Sequence, residues 1–146
     1  MNKYHQGKFT PKNKEKYQGD YNNIIYRSSW ECKVFSWLDN NPNVLSWGSE
    51  EFCINYVSPA DNKIHRYFPD IIVKVKTPDN NIKVVVIEIK PKKQTLPPEP
   101  RKRVTRQFVN EVVTYGVNQA KWHAATEFCL DRGWEFKIIT EEHLGL

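Results

Sequence analysis

The chain has 146 residues, of which 39% are hydrophobic and 13% aromatic, and a formal net charge of +5. That length and composition fit one folded domain and exclude a largely disordered chain. No apolar run approaches the length of a membrane span or a signal-peptide core, so the sequence reads as soluble, cytosolic and free of membrane contact.

The charge is uneven. Residues 90–106 carry seven basic side chains against Glu99, a net +6. Residues 1–27 carry six against Glu15 and Asp20, a net +4, which leaves the rest of the chain acidic. Two basic segments flanking an acidic middle suit a protein that grips a phosphate backbone and gathers cations at one place. The same runs also read as solvated surface loops that keep the protein in solution. Cys32, Cys53 and Cys129 are odd in number and contain no CxxC pair, against a disulfide framework or a structural zinc.

Taken in order, residues 1–25 are polar and aperiodic and read as a basic N-terminal arm, with one domain over 26–146. Ser28 and Glu31 have capping-box spacing, and Trp30, Val34, Trp37 and Leu38 recur at helical spacing, predicting a helix over 29–40 stopped by Asn40-Asn41-Pro42. Phe52, Ile54 and Tyr56 alternate, predicting a strand over 50–57 that Glu50 and Glu51 open as a solvated edge. A turn at 58–63 leads into a second strand, His65 to Lys76. After Thr77-Pro78-Asp79-Asn80-Asn81 comes a third, Ile82 to Lys90, whose continuous apolar run fits a strand buried on both faces. Four Pro and the densest basic charge make 91–103 a surface loop. A long helix follows, Thr105 to Arg132, with Phe108, Val112, Tyr115, Gln119, Trp122 and Thr126 near one stripe. The last strand is Trp134 to Ile139, followed by a short turn at Glu141 to Leu144. The order helix, three-strand meander, loop, helix, strand predicts an α/β sheet with helices on both sides.

The chemistry centres on Asp70 and Glu88-Ile89-Lys90. If the turn between the second and third strands is five residues centred on Asp79, Asp70 falls directly opposite Glu88, and opposed residues point to one sheet face. Two facing carboxylates repel and raise one pKa unless a divalent cation holds them. Lys90, two residues past Glu88, leaves the strand on the same face. Metal, lysine and phosphate together suggest phosphodiester hydrolysis. Glu31 also fits a plain helix cap. His65 and Arg66 suit either a phosphate contact or a polar strand end. His5, His123 and His143 form no spacing motif, and the chain has neither a Gly-rich phosphate loop nor a Ser/His/Asp or Cys/His arrangement.

The stretches Ser28-Ser29-Trp30-Glu31, His65-Arg66-Tyr67-Phe68-Pro69-Asp70 and Glu88-Ile89-Lys90 together resemble the PD-(D/E)xK nuclease superfamily. More narrowly, from Tyr26-Arg27-Ser28-Ser29-Trp30-Glu31 through Asn41-Pro42-Asn43-Val44 to Lys90-Pro91-Lys92-Lys93, and over nearly the whole chain, the likeness is to the head-completion nucleases of large tailed phages, and it extends to the endonuclease subunit of heteromeric transposases. The resemblance implies a restriction-endonuclease-like core, a mixed central sheet flanked by helices. It implies Mg²⁺-dependent DNA cleavage, with Mn²⁺ able to substitute. Asp70, Glu88, the Ile89 carbonyl and Glu31 would then hold the metal, and Lys90 would orient the attacking water. Gln119 and Lys121 fall where such nucleases place polar residues. Lys92, Lys93, Arg101, Lys102, Arg103 and Arg106 would bind backbone without reading sequence. The expected partners are double-stranded DNA or DNA ends and phage head or neck proteins, in the host cytoplasm during assembly or on the virion. A homodimer is one way for a one-site nuclease to cut both strands. The rival readings are a non-catalytic DNA-binding part of the virion and a protein–protein adaptor.

Overall fold

A computed structural model describes residues 6–145. A four-stranded mixed sheet organises the chain. Its strands are β3 (Val44–Gly48), β6 (Ile71–Lys76), β7 (Ile82–Ile89) and β8 (Glu135–Ile139), in the order β3-β6-β7-β8. The first three are antiparallel neighbours, and β8 lies parallel to β7. The parallel step requires a crossover, which α2 (Arg106–Asp131) supplies. Two small antiparallel ribbons complete the β-structure: β1 (Gly7–Phe9) with β2 (Ile24–Tyr26), and β4 (Ile54–Val57) with β5 (Ile64–Tyr67). The remaining helices are α1 (Ser29–Asn40) and α3 (Glu141–Leu144). No described helix is long and apolar enough to cross a membrane. The expected α/β class, a mixed central sheet with helices on both sides, is what the chain forms.

Strand β7 divides the interior into two layers because successive side chains leave opposite faces. Val85, Ile87 and Ile89 pack with Val34, Phe35 and Leu38 of α1 and with Trp47. On the other side Trp122 and Ala125 of α2 pack with Ile54, Tyr56 and Tyr67, against Phe136 and Ile138 of β8.

Several sequence expectations give way. Strand β3 was not expected, because a bulge between Val44 and Ser46 breaks the alternation that marks a strand. The segment 50–57 is a strand only from Ile54, since Glu50 adopts φ 53° and ends any extended run. The second strand divides at Phe68-Pro69-Asp70, where Pro69 has no N–H for a ladder. Its first part pairs only with β4, so the meander of three consecutive strands does not form. Along α2 the buried stripe is Asn118, Trp122, Ala125 and Cys129, while Val112 is exposed. The N-terminal half of this helix runs beyond the sheet, where the proline-rich segment lies along it. Similarly, Trp37 of α1 is exposed and Phe35 takes the interior position.

Residues 7–25 of the expected arm lie against the body, and residues 1–5, including His5, fall outside the described region. The Lys12 and Asn13 amides donate to the buried Asp39 carboxylate at 2.8 and 3.1 Å. Tyr17 is buried edge-on to Trp47 with ring centroids 4.8 Å apart.

Candidate active site

The β6–β7 hairpin turns through Thr77–Asn81, with the Thr77 amide donating to the Asn81 carbonyl and Asn80 in the left-handed region. This five-residue turn pairs Lys76 with Ile82 and, at the far end, Ile71 with Ile87. One step further along the same register sets Asp70 opposite Glu88. Asp70 lies just before β6, and its Oδ2 accepts the Ile89 N–H at 2.8 Å. Asp70 and Lys90 are half-buried, so solvent reaches the pair from their side.

Glu88 is only 6% exposed, and its Oε2 is buried without a hydrogen-bond partner. Burial, and then the charge of Asp70, push its pKa up to about 9, while the Lys90 charge pulls it down. The Tyr67 hydroxyl is also buried without a partner: it lies near Glu88 but outside hydrogen-bonding geometry. Burial, and then the Glu88 charge, raise its pKa well above the ordinary phenol range.

Helix α1 brings in Glu31. Ser28 is fully buried at the N-cap, and its Oγ accepts the Glu31 N–H at 3.2 Å. The Glu31 carboxylate returns to the Arg27 N–H at 3.3 Å, one residue before the position of a regular capping box. It caps the helix and also faces the carboxylates: burial first, then the Asp70 charge, raise its pKa to about 7. Among the described residues no three His, Cys, Asp or Glu side chains sit together as a ready-made metal cage. The donor set nevertheless suits a hard divalent ion, which takes one or two carboxylates and keeps several waters. An acceptor-only oxygen buried with no donor is what a cation would satisfy.

Two comparisons bear on this arrangement. The family model described as TnsA-like endonuclease N terminal matches residues 41–141, which include Asp70, Glu88 and Lys90. The "Head completion nuclease" of Enterobacteria phage T4 is 44% identical over 144 residues, covering 96% of this chain and 93% of the relative. The chain belongs to the TnsA-like endonuclease family. Glu31 lies outside the stretch that the family model matches but within the span of a relative covering nearly the whole chain.

The other expected residues of this endonuclease surround the carboxylates unevenly. His65 and Arg66 are exposed on β5; His65 pairs with Asp61 at 2.8 Å, and Arg66 lies over the Phe68 ring. Lys92 is tied to α3, through its Nζ to Glu142 at 2.7 Å and its amide to Glu141 at 2.9 Å. Arg101 pairs with Glu111 of α2 at 3.1 Å. Lys93, Lys102, Arg103 and Arg106 are exposed and make no ion pair among the described residues. Lys121 stands over the Tyr56 and Tyr67 rings at 5.9 and 5.8 Å, which places it beside the Glu88 layer. Gln119 is exposed on α2, off the buried stripe where the sequence placed it, and lines a cavity with Trp122, Phe136 and Ile138.

Sequence reasoning missed Tyr67, Arg27 and Glu50. Tyr67 precedes Phe68-Pro69-Asp70, and its place before a metal-ligand candidate was the available signal. Arg27 forms an ion pair with Glu50, 23 residues away, which no local pattern announces.

Proposed function

We propose that this nuclease hydrolyses DNA phosphodiester bonds with Mg²⁺, for which Mn²⁺ substitutes, and that it acts on DNA ends during phage head completion. The observation that carries the reading is the buried, donorless Oε2 of Glu88 opposite Asp70. A carboxylate in that position is costly unless a cation meets it. Asp70, Glu88 and the Ile89 carbonyl would hold the metal. In an extended strand a residue's N–H and C=O leave on the same edge, and the Ile89 N–H already points at Asp70. Glu31 completes the set, directly or through water. When bound, such an ion would lower the pKa of a coordinated water and offset charge on the phosphate.

The rest is done by the chain itself. Lys90, whose charge reaches Glu88, holds the attacking water and the phosphate oxygen facing it. Asp70, tied to the Ile89 amide, keeps its carboxylate fixed while substrate enters. The exposed cations at 93, 102, 103 and 106, with His65, Arg66, Gln119 and Lys121, bear on the DNA backbone rather than on base edges. The relative's name supports head completion as the setting; the host cytoplasm as the place of action, and head or neck proteins as partners, are part of the same proposal. Two copies, or two successive events, would cut both strands.

The test is strand cleavage of linear and circular DNA as Mg²⁺ or Mn²⁺ is titrated into wild type and an Asp70→Ala/Glu88→Ala variant. Metal-dependent cleavage should vanish in the variant while its circular dichroism stays native. Full activity in that variant would remove the proposed site, and metal-independent DNA binding without cleavage would make the protein a structural DNA-end binder.

A further inference from the structure

Arg27 sits where the start of α1, the loop after β3 and the carboxylates approach one another. It immediately precedes the Ser28 cap, and its amide donates to Glu31 Oε2. Its guanidinium pairs with Glu50 and stands near enough to Glu31 and Asp70 for their charges to act on it. Its side chain is 53% exposed, and among the described residues Glu50 is its only side-chain hydrogen-bond partner. Glu50 is held as deliberately. It is a non-glycine residue at φ 53°, and its N–H donates to the Asp70 carbonyl at 3.3 Å.

As a stabilising device the pair makes little sense. A half-exposed ion pair contributes next to nothing to stability, whereas a glutamate in the left-handed region is strained. Strain of this kind persists where the surroundings fix a residue for another purpose. Here it turns the Glu50 carboxylate toward a guanidinium that stands beside Glu31 and Asp70, next to the N-terminus of a 12-residue helix. A guanidinium has five donors in a planar fork that matches two phosphate oxygens, and one anchor leaves the others free.

We propose that Arg27 contacts a non-bridging oxygen of the phosphate being cleaved, and that Glu50 is the positioning residue that holds the guanidinium there. The inference rests on reading Asp70 and Glu88 as the nuclease site. On substrate entry the fork keeps its bond to Glu50 and gives its remaining N–H groups to the phosphate. The same cation offsets the carboxylate charge that would otherwise repel the DNA strand.

The experiment compares cleavage and Mn²⁺ binding by wild type, Arg27→Ala, Arg27→Lys, Glu50→Gln and Glu50→Gly, with Asp70→Ala/Glu88→Ala as the control. Glu50→Gly removes the carboxylate while relieving the backbone. Arg27→Ala should lower kcat about 10²-fold, by analogy with loss of one transition-state donor, and leave Mn²⁺ affinity equal or higher. Lysine should restore only part of the rate, because it lacks the fork. Both Glu50 variants should lower kcat about 10-fold without lowering the melting temperature. A neutral methylphosphonate at the scissile linkage should slow wild type far more than it slows Arg27→Ala. Arg27→Ala cleaving within 3-fold of wild type, or slowed as much as wild type by the neutral linkage, overturns the inference and leaves the nuclease reading intact. Cleavage by the Asp70→Ala/Glu88→Ala control overturns the nuclease reading, and with it this one.

Discussion

The carboxylate of Asp70 accepts the backbone N–H of Ile89 at 2.8 Å, across the open end of the β6–β7 hairpin. That bond pins an acidic side chain to the strand that carries the second acid, Glu88. The two carboxylates are therefore close by construction, and the chain must deal with their repulsion.

Without a divalent ion the repulsion is met by a proton on Glu88. Its carboxyl is pushed up to about 9 from the usual 4.5, so between those values the folded protein binds more protons than the unfolded chain. Stability therefore falls as pH rises through that window. In metal-free buffer the melting temperature of wild type should drop from pH 5 to pH 9 more steeply than that of Glu88→Gln. At pH 9 the variant should be the more stable by about 1–3 kcal/mol, the usual cost of a buried unsatisfied group. Parallel curves would mean that Glu88 is ionised throughout.

Metal and proton then compete for the same oxygens. With both carboxyls raised, Glu88 to about 9 and Glu31 to about 7, metal-free protein should carry protons here at pH 7. Binding of Mg²⁺ or Mn²⁺ should release at least one proton per site, and affinity should rise between pH 6 and pH 9. Titration calorimetry in buffers of different ionisation enthalpy measures the release directly. Binding heats independent of buffer would place the ion elsewhere.

The N-terminal segment is fastened by Asp39, which is 1% exposed and accepts the amides of Lys12 and Asn13. Asp39→Ala leaves both donors without an acceptor and should cost about 1–3 kcal/mol. Urea denaturation reads the loss, and limited proteolysis should cut first within residues 10–20. Unchanged stability would show that the segment is not held through this side chain.

The exposed cations divide into free and occupied ones. Lys102, Arg103 and Arg106 have no ion-pair partner among the described residues, whereas Lys92 is engaged by Glu142. Glutamine at each free position should lower the slope of log affinity against log salt by about 1, equally for unrelated DNA sequences. Lys92→Gln should change the slope less. Filter-binding titrations at several salt concentrations separate the two classes.

The hairpin register was legible in the sequence because a count of turn residues fixes which positions oppose one another. Thr77–Asn81 could be counted, and Asp70 and Glu88 followed from it. The capping function of Glu31 was legible for the same local reason. Strand β3 was hidden by a bulge that breaks a period of two, and Pro69 split one expected strand between the β4–β5 ribbon and the central sheet. The stripe of α2 was misjudged over its first half because periodicity tells which residues align, not where the sheet beneath them ends. Arg27 and Glu50 lay beyond reach altogether, since their pairing depends on a left-handed residue that nothing in its neighbours requires.

Strand β7 sends Val85, Ile87 and Ile89 into one apolar layer and Val86 and Glu88 toward the other, then ends among the carboxylates. The candidate site thus has no scaffold of its own; it is the last rung of the beam on which both halves of the molecule hang. A methyl group lost at Val86, which is fully buried and out of reach of any ligand, would be felt two residues later as misalignment of Glu88. Mutations that slow this nuclease should therefore be found well beyond the residues that touch its substrate.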